Sequence, residues 1–242
     1  MLNYKKRIVF TGGTGRFAKA FKNIQKKKNY NFFFPTKSEL NILNTKSIQR
    51  YLKKTKPKYL IHLAGLSRPM KIHELDINQS IDKNIIGTAN ITKSCADFNI
   101  KLIYISTCYV YPGITGNYSE DSPLKPINNY AWSKLGGECS VLLYKNSLIL
   151  RTSATEKPFV HSGAFCDFQT NFIFHDDLAE KILKILNKKG IINIGGKSQS
   201  VYDFVKNYNP NIKKIYAKKI LGKNVPRNIS MNINKFKKFI ND

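Results

Sequence analysis

The chain has 242 residues, 42% of them hydrophobic and 12% aromatic, which is enough to bury the core of one α/β domain with or without a small appended lobe. No apolar run approaches the roughly 18 residues that a membrane-spanning helix needs, and the amino-terminal stretch has no secretory signal pattern. The formal net charge of +26 would attract nucleic acid, acidic membranes or phosphorylated small molecules. Because the lysines are scattered, we attribute the charge to composition and expect neither a nucleic-acid nor a membrane partner.

The four cysteines lie at positions 95, 108, 139 and 166 and show no C-x-x-C spacing. Cysteines without such spacing are typical of reduced thiols in a cytoplasmic protein, so we expect neither a disulfide framework nor a metal site.

The first predicted elements are a strand at Ile8–Phe10, glycines at positions 12, 13 and 15, and a helix whose apolar stripe begins at Phe17. Strand, glycine turn and helix form the first unit of a nucleotide-binding sheet, in which the backbone N–H groups of the helix start hold a pyrophosphate. The spacing G-x-x-G-x-x-A is also compatible with an ordinary turn. Its place directly after an amino-terminal strand favours the nucleotide site.

The second strand is predicted at Tyr30–Phe34, and the segment after it carries Lys37 with no acidic residue before Glu39. An acid at this strand end usually holds the ribose of NAD, whereas a cation favours the 2′-phosphate of NADP. A solvated loop lysine is the alternative. A third, fully apolar strand is predicted at Lys58–Gly65; its His62 is expected to be a packed histidine, not a catalyst.

A long helix is predicted over Asp76–Asp97, followed by a fourth strand at Lys101–Thr107. The next helix begins near Asn129, and a fifth strand follows at Ser147–Ser153. Strands that alternate with helical patterns indicate an α/β fold with a doubly wound parallel sheet.

The pattern changes after residue 152, where a stretch without clear periodicity reads as loops of a substrate lobe. A helix follows at 176–189, then a short strand at Ile191–Ile194 and a short helix at Val201–Tyr208. We therefore expect a dinucleotide-binding domain over residues 1–152 and a small substrate-binding lobe over 153–242, with the 176–189 helix packed back on the sheet.

The candidate catalytic residues are Thr107, at the end of a buried strand, and Tyr130 and Lys134, which lie four apart on one helix face. A lysine ammonium next to a phenol is expected to lower the pKa of the phenol from about 10 toward the working pH, so that it exchanges a proton with a substrate oxygen. Tyr202 and Lys206 have the same spacing but no strand end beside them. We interpret that second pair as surface residues.

Several motifs together resemble the extended short-chain dehydrogenase/reductases that act on nucleotide sugars: TGGTGRFA, HLAG, NIIGTAN, STCYVYPG, PINNYAWSKLGGE, LILRTS, HDDLAE and NIGG. The subgroup that the chain resembles is the dTDP-4-dehydrorhamnose reductases, whose pattern is S-T-D-Y-V-F followed by P-x-N-x-Y-x-x-x-K-x-x-G-E. The string TKSELNIL also resembles GDP-fucose synthases. The resemblance implies a Rossmann domain that binds NADP, or NAD, as hydride donor.

The resemblance also implies the roles of individual residues. Thr107, Tyr130 and Lys134 would form the catalytic triad, and the long helix and the Tyr130 helix would pair with a second copy in a homodimer's four-helix bundle. The expected cofactor-binding residues are Gly12, Thr14, Gly15, Arg16, Phe17, Lys37, Asn41, Ile42, Leu63, Ala64, Gly65, Tyr130 and Lys134. The expected substrate-binding residues are Thr107, Cys108, Tyr109 and Arg227.

The chain departs from the reductase pattern at Cys108, which replaces an aspartate. GDP-fucose synthases use a cysteine in this region with a histidine for epimerisation, so Cys108 with His161 or His175 would move a proton next to a ketone. A small packing residue is the alternative. The segment between LRTS and HDDLAE is also shorter than in the family. Near the carboxyl end, Arg227 either grips the substrate diphosphate or is simply exposed.

Three functions follow. The first is NAD(P)H-dependent reduction of a nucleotide-linked 4-keto deoxysugar, with the proton supplied by Tyr130. The second is an epimerase, or an epimerase/reductase, that uses Cys108 and a histidine. The third is a catalytically silent protein, either a dinucleotide-binding regulator or a basic nucleic-acid-binding protein that kept the fold. A 4,6-dehydratase is disfavoured, because the Asp–Glu pair of those enzymes is replaced by Cys108 and Tyr109.

Overall fold

The computed structural model describes residues 5–24, 30–221 and 226–241, so part of the amino-terminal stretch inspected for a secretory signal lies outside it. The strands are β1 (Lys6–Thr11), β2 (Tyr30–Phe33), β3 (Tyr59–His62), β4 (Lys101–Thr107), β5 (Ser147–Thr152), β6 (Ala154–Thr155), β7 (Gly163–Phe165), β8 (Gln169–Thr170), β9 (Ile173–Phe174), β10 (Gly190–Ile194), β11 (Gln199–Ser200) and β12 (Lys213–Ile215). The α-helices are α1 (Arg16–Ile24), α2 (Thr45–Thr55), α3 (Ile72–Leu75), α4 (Ile77–Ser80), α5 (Gly87–Asp97), α6 (Asn129–Leu142), α7 (His175–Lys184), α8 (Val201–Lys206), α9 (Ala217–Leu221) and α10 (Asn234–Asn241).

Within the described residues, six parallel strands form the central sheet in the order β10-β5-β4-β3-β1-β2. Side chains of a strand alternate between the two faces, and both faces of this sheet are covered. Ile8 and Phe10 of β1 face α1, α7 and α10 in one apolar cluster. Val9 between them faces α2, α5 and α6 in another. The predicted doubly wound α/β sheet is therefore confirmed.

The long predicted helix is present but not uniform. Asp76 caps it by accepting a hydrogen bond from the backbone N–H of Gln79. The helix then runs through α4, a π-helical segment at Ile81–Ile86, and α5. The wider π turn shifts the face of the helix by one residue, which an average apolar periodicity does not reveal.

The lobe has its own apolar cluster, which includes Tyr111, Phe168, Phe204 and Ile229. Short strands of this part of the chain form three pairs: β6 with β9, β7 with β12, and β8 with β11. Each is two or three residues long, too short to produce a periodic pattern, which is why the segment after residue 152 reads as loops.

The chain returns to the main sheet after entering the lobe. Helix α7 ends at Lys184, before the end of the predicted 176–189 helix, and it packs against α1. Strand β10 pairs with β5, and α10 packs on β10 with Phe236 in the cluster of Ile8 and Phe10. A boundary between 152 and 153 therefore does not separate the sheet from the lobe, since parts of 153–242 complete the sheet layer. In the described ranges, no helix combines the length and the apolar character needed to cross a membrane.

Candidate active site

The glycine turn joins β1 to α1 at the edge where the parallel strands end. Gly12 has a φ of 68°, and a Cβ built on Gly13 would lie 2.5 Å from the backbone carbonyl carbon of Phe34, so the turn packs tightly against the segment after β2. Thr14, Gly15 and Arg16 are exposed at the start of α1. The first turn of α1, all of it described, carries no acidic side chain. These features fit the pyrophosphate of a dinucleotide.

Thr11 joins the ends of β1 and β3 below this turn. Its hydroxyl accepts hydrogen bonds from the backbone N–H groups of Leu63 and Ala64, both at 3.1 Å, and lies 2.7 Å from Nδ1 of His62. His62 also contacts the Thr88 hydroxyl at 3.1 Å, and burial lowers the pKa of its imidazole to about 3. His62 is thus a neutral, packed strand histidine, as predicted.

The structure places Thr107 and Tyr130 in contact. Thr107 ends β4, and its hydroxyl accepts the N–H of Tyr109 at 3.2 Å. Tyr130 lies in the first turn of α6, because the side chain of Asn128 caps that helix by accepting the N–H of Ala131 at 2.8 Å. The Thr107 hydroxyl then lies against the Tyr130 phenol, where it opposes the rise in the pKa of that phenol.

Lys134 follows Tyr130 by one helical turn, and its Nζ lies 4.1 Å from the centroid of the Tyr104 ring. Burial lowers the pKa of Lys134 to about 7, which the Glu138 carboxylate partly opposes. The ammonium therefore sits against an aromatic ring, where a cation–π contact holds it.

The expected pKa shift of the phenol has the wrong sign. Burial raises the pKa of Tyr130 to about 12, with Cys108 adding to the rise and Thr107 and Arg68 opposing it. Lys134 is absent from these causes, since it faces Tyr104 and burial disfavours its own charge. The Tyr130 phenol is therefore protonated at neutral pH and suited to give up a proton to a developing oxyanion.

Cys108 is buried beside this pair, close to the side chains of Ser153, Thr107 and Thr170. Burial raises the pKa of its thiol to about 11. Among the described residues, no hydrogen bond joins Cys108 to a histidine. The ring of His175 stacks on Phe17 with centroids 4.8 Å apart, and that of His161 lies against Phe159 at 5.2 Å. Each of these two histidines therefore packs against a phenylalanine, and the use of Cys108 with a histidine for epimerisation stays a hypothesis.

The remaining cofactor candidates lie after β2. Lys37 is exposed in a turn whose Glu39 carboxylate accepts from the Thr36 N–H at 2.8 Å. Asn41 uses its side-chain oxygen for the Leu43 N–H at 3.0 Å, and Ile42 is buried with its carbonyl accepting from Asn90 at 3.0 Å.

Of the remaining substrate candidates, Tyr109 is partly buried, with its ring centroid 6.4 Å from that of Tyr130. Arg227 is exposed on the lobe, where its N–H donates to the Gly113 carbonyl at 2.8 Å. The backbone of Arg227 is therefore held against the loop that follows β4.

Asn84 is a site residue that the sequence analysis quoted only within a motif. Its side-chain nitrogen donates to the Ser133 hydroxyl at 2.8 Å and the Leu66 carbonyl at 2.9 Å, and its oxygen accepts the Leu66 N–H at 2.7 Å. It thereby joins the π-helical segment, α6 and the loop after β3. A polar residue within an apolar helical stripe was the available signal.

A buried ion pair lies one turn beyond Lys134. Glu138 and Arg151 approach to 2.8 Å with side-chain exposures of 0% and 2%. Glu138 also accepts from Ser106, next to Thr107, and Arg151 donates to the Tyr111 hydroxyl at 3.0 Å. This network joins α6, β4, β5 and the lobe. An arginine inside a buried strand was the signal for it.

A second ion cluster stands at the glycine turn. Glu156 lies 3.0 Å from Arg16 and 3.1 Å from Arg68. Arg16 also donates to the Ser67 hydroxyl at 3.4 Å. The three charged residues come from distant parts of the chain, so no spacing in the sequence could have indicated the cluster.

A family model described as the RmlD substrate binding domain matches residues 6–161. The chain is 31% identical over 144 residues to methionine adenosyltransferase 2 subunit beta of Xenopus tropicalis, covering 57% of this chain and 43% of that protein. This chain therefore spans less than half the length of that relative. It is also 31% identical over 211 residues to GDP-6-deoxy-D-talose 4-dehydrogenase of Aggregatibacter actinomycetemcomitans, covering 82% of this chain and 65% of that one.

Among solved structures, dTDP-4-dehydrorhamnose reductase of Bacillus anthracis str. Ames, in complex with NADP, matches with a TM-score of 0.85 and 22% identity. The match covers 98% of this chain and 93% of that one, and it shows that the fold is shared. Since the family match extends over more than half of the sequence, from β1 to the segment after β6, the chain belongs to the RmlD substrate binding domain family.

Proposed function

We propose that the protein reduces a 4-keto sugar carried on a nucleotide, with NADPH as hydride donor. The observation that carries this is the placement of two features on one sheet edge. An exposed glycine turn at the start of α1 stands at the end of β1, and the Thr107–Tyr130 contact stands at the end of β4. Ligands of such sheets lie beyond the carboxyl ends of the strands, where both features are.

When bound, the nicotinamide supplies a hydride to the keto carbon. Tyr130 then supplies the proton to the oxygen, and its raised pKa keeps that proton in place at neutral pH until negative charge develops. The Thr107 hydroxyl, which lies beside the phenol, binds the same substrate oxygen. Lys134 is positioned by Tyr104 to bond the ribose of the cofactor.

The residues after β2 support NADP over NAD. Lys37 is exposed, and the nearby carboxylate of Glu39 is used within its own turn by the Thr36 N–H and hydroxyl, at 2.8 and 3.0 Å. A cation without a free carboxylate suits a 2′-phosphate. The NADP-bound reductase of the same fold supports this choice, while NAD stays possible.

We further propose that Cys108, Tyr109 and Arg227 contact the nucleotide sugar and that the protein works as a homodimer in the cytoplasm. The apolar side chains left exposed on α4, the π-helical segment and α6 support the dimer; they include Ile77, Ile81 and Trp132. The cysteines, unpaired in the described structure, are in the state that a reducing compartment maintains.

A dinucleotide-binding subunit without turnover is the second candidate. The likeness to a protein named methionine adenosyltransferase 2 subunit beta favours it. The Thr107–Tyr130 contact favours the reductase, since a binding subunit has no use for it.

The test is NADPH oxidation by the purified protein with UDP-, dTDP- and GDP-linked 4-keto-6-deoxy sugars, the products being identified by NMR. Replacing Tyr130 by phenylalanine removes the proton donor, so we expect kcat to fall by about 10²- to 10⁴-fold. Tyr202→Phe, in the second Y-x-x-x-K pair, is the matched control and should keep wild-type rates. NADPH binding without turnover on any of these sugars would exclude the reductase and favour the silent subunit.

A further inference from the structure

Two guanidinium groups share one carboxylate beside the glycine turn. Nη1 of Arg16 lies 3.0 Å from Glu156, and Nη1 of Arg68 donates to both oxygens of that carboxylate at 3.1 Å. The carboxylate is largely buried, with 16% of the side chain exposed, whereas the two arginines are 47% and 35% exposed. Both arginines thus reach from solvent toward a single internal anion.

The three residues border the proposed cofactor cleft on different sides. Arg16 is the first residue of α1, directly after the glycine turn. Arg68 lies in the loop after β3, and its charge opposes the rise in the pKa of Tyr130. Glu156 follows β6, where the chain leaves for the lobe. The Glu156 carboxylate therefore lies between the two arginines near the helix end at which a pyrophosphate would bind.

The arginines keep donors for another anion. In the described contacts, Arg68 uses a single nitrogen on Glu156, although a guanidinium carries five N–H groups arranged to fit phosphate or carboxylate. A diphosphate offers more negative charge than one carboxylate, and the N–H groups of the α1 start add to its attraction.

We propose that Arg16 and Arg68 form a clamp for the cofactor diphosphate and that Glu156 is the resident counter-ion of this clamp, displaced when the dinucleotide binds. This inference rests on the proposed dinucleotide site. Glu156 stabilises the clamp before the cofactor binds, and its negative charge offsets the attraction of the two guanidinium groups for the diphosphate. It is thus an affinity-determining residue, since its charge weakens cofactor binding.

Isothermal titration of the full chain with NADPH tests this without any turnover. Glu156→Gln removes the competing charge at nearly constant shape, so we expect the Kd to fall about fivefold. Arg68→Met should raise the Kd about tenfold. Arg68→Lys keeps the charge but not the planar set of N–H donors, so its Kd should lie between those of wild type and Arg68→Met. When Glu156→Gln is added to the Arg68→Met variant, the Kd of NADPH should fall much less than it falls when Glu156→Gln is made in the wild-type chain.

Matched controls are Glu180→Gln on α7 and Arg50→Met on α2, exposed residues that undergo the same changes of charge. Both should leave the Kd within twofold of wild type. Such a result would show that the effects at Glu156 and Arg68 depend on their position and not only on the change in net charge. Circular dichroism of each variant verifies that it is folded.

An unchanged or higher Kd for folded Glu156→Gln would overturn the inference, because Glu156 would then have no effect on cofactor affinity or would increase it. An unchanged Kd for Arg68→Met would do the same. If NADPH binds tightly and the variants change the Kd as expected, but no sugar is reduced, the clamp is supported and only the reductase proposal is rejected. If neither wild type nor Glu156→Gln binds NADPH or NADH, both proposals fail.

Discussion

At the scale of single residues, the Glu138–Arg151 pair is the most consequential feature outside the cleft. Both side chains are almost fully buried, and their remaining hydrogen bonds go to Ser106, Tyr111 and the carbonyl of Glu120. A buried ion pair gains little over an apolar pair, but the loss of one partner leaves an uncompensated charge in the core.

Arg151→Met is accordingly expected to lower the free energy of unfolding by about 3–5 kcal/mol, because Glu138 would remain buried without its counter-ion. The double variant Glu138→Leu/Arg151→Met removes both charges and should recover a large part of that loss. Urea unfolding followed by circular dichroism measures both. A double variant at least as unstable as the sum of the single ones would contradict this account.

Lys134 leads to a pH dependence with a definite sign. Its pKa is about 7 in the folded chain and about 10.4 when unfolded, so between these values the unfolded chain binds more protons. The cost of burying the charged lysine is present in full below pH 7 and disappears as the pH rises through this window. Lys134→Met should therefore gain less stability between pH 7 and pH 9 than wild type. Urea unfolding at both pH values decides this, with exposed Lys184→Met as control.

At the scale of elements, the glycine turn has separate structural and binding positions. Gly13 is packed against the backbone after β2, whereas a Cβ on Gly15 would have the carbonyl oxygen of Gly12, at 3.0 Å, as its near neighbour. The open face of Gly15 is the one from which a diphosphate would approach.

Gly13→Ala should therefore destabilise the protein by about 1–3 kcal/mol, as overpacking does. Gly15→Ala should change the free energy of unfolding by less than about 1 kcal/mol but raise the Kd of NADPH, because its methyl group occupies the approach to the helix start. Urea unfolding and calorimetric titration separate the two effects. Equal destabilisation by both changes would show that Gly15 too is only a packing residue.

The elements also show how far the sequence could predict this molecule. The buried strands and the long helix follow from apolar runs and helical spacing, because these signals are local. Local patterns do not predict the π-helical segment, the two-residue strands or the direction of the Lys134 side chain, because each depends on packing between distant segments. The Arg16–Glu156–Arg68 cluster could not be predicted from the sequence for the same reason.

At the scale of the whole molecule, exposed apolar side chains on α4, the π-helical segment and α6 are the observation that supports the proposed dimer. Ile77 and Trp132 are 54% and 56% exposed. Exposed apolar residues on packed helices are typical of surfaces that another chain covers. We have proposed that a second copy of this chain is that partner.

Light scattering after size-exclusion chromatography should give twice the chain mass of 27.7 kDa. Ile81→Glu and Trp132→Glu place charges on the proposed interface and should shift the protein toward monomer. Ile220→Glu, on α9 of the lobe, is the control and should remain dimeric. A wild-type monomer at all concentrations would refute the dimer.

Trp132 has a further consequence, because it is the single tryptophan in the sequence. It stands on α6 two residues from Tyr130, with its indole partly in water. Excitation at the long-wavelength edge of indole absorption, where the 13 tyrosines do not absorb, therefore reports on one known place. The emission shifts to shorter wavelength when that place loses water. The protein thus carries its own optical probe of assembly, and no dye or label has to be introduced.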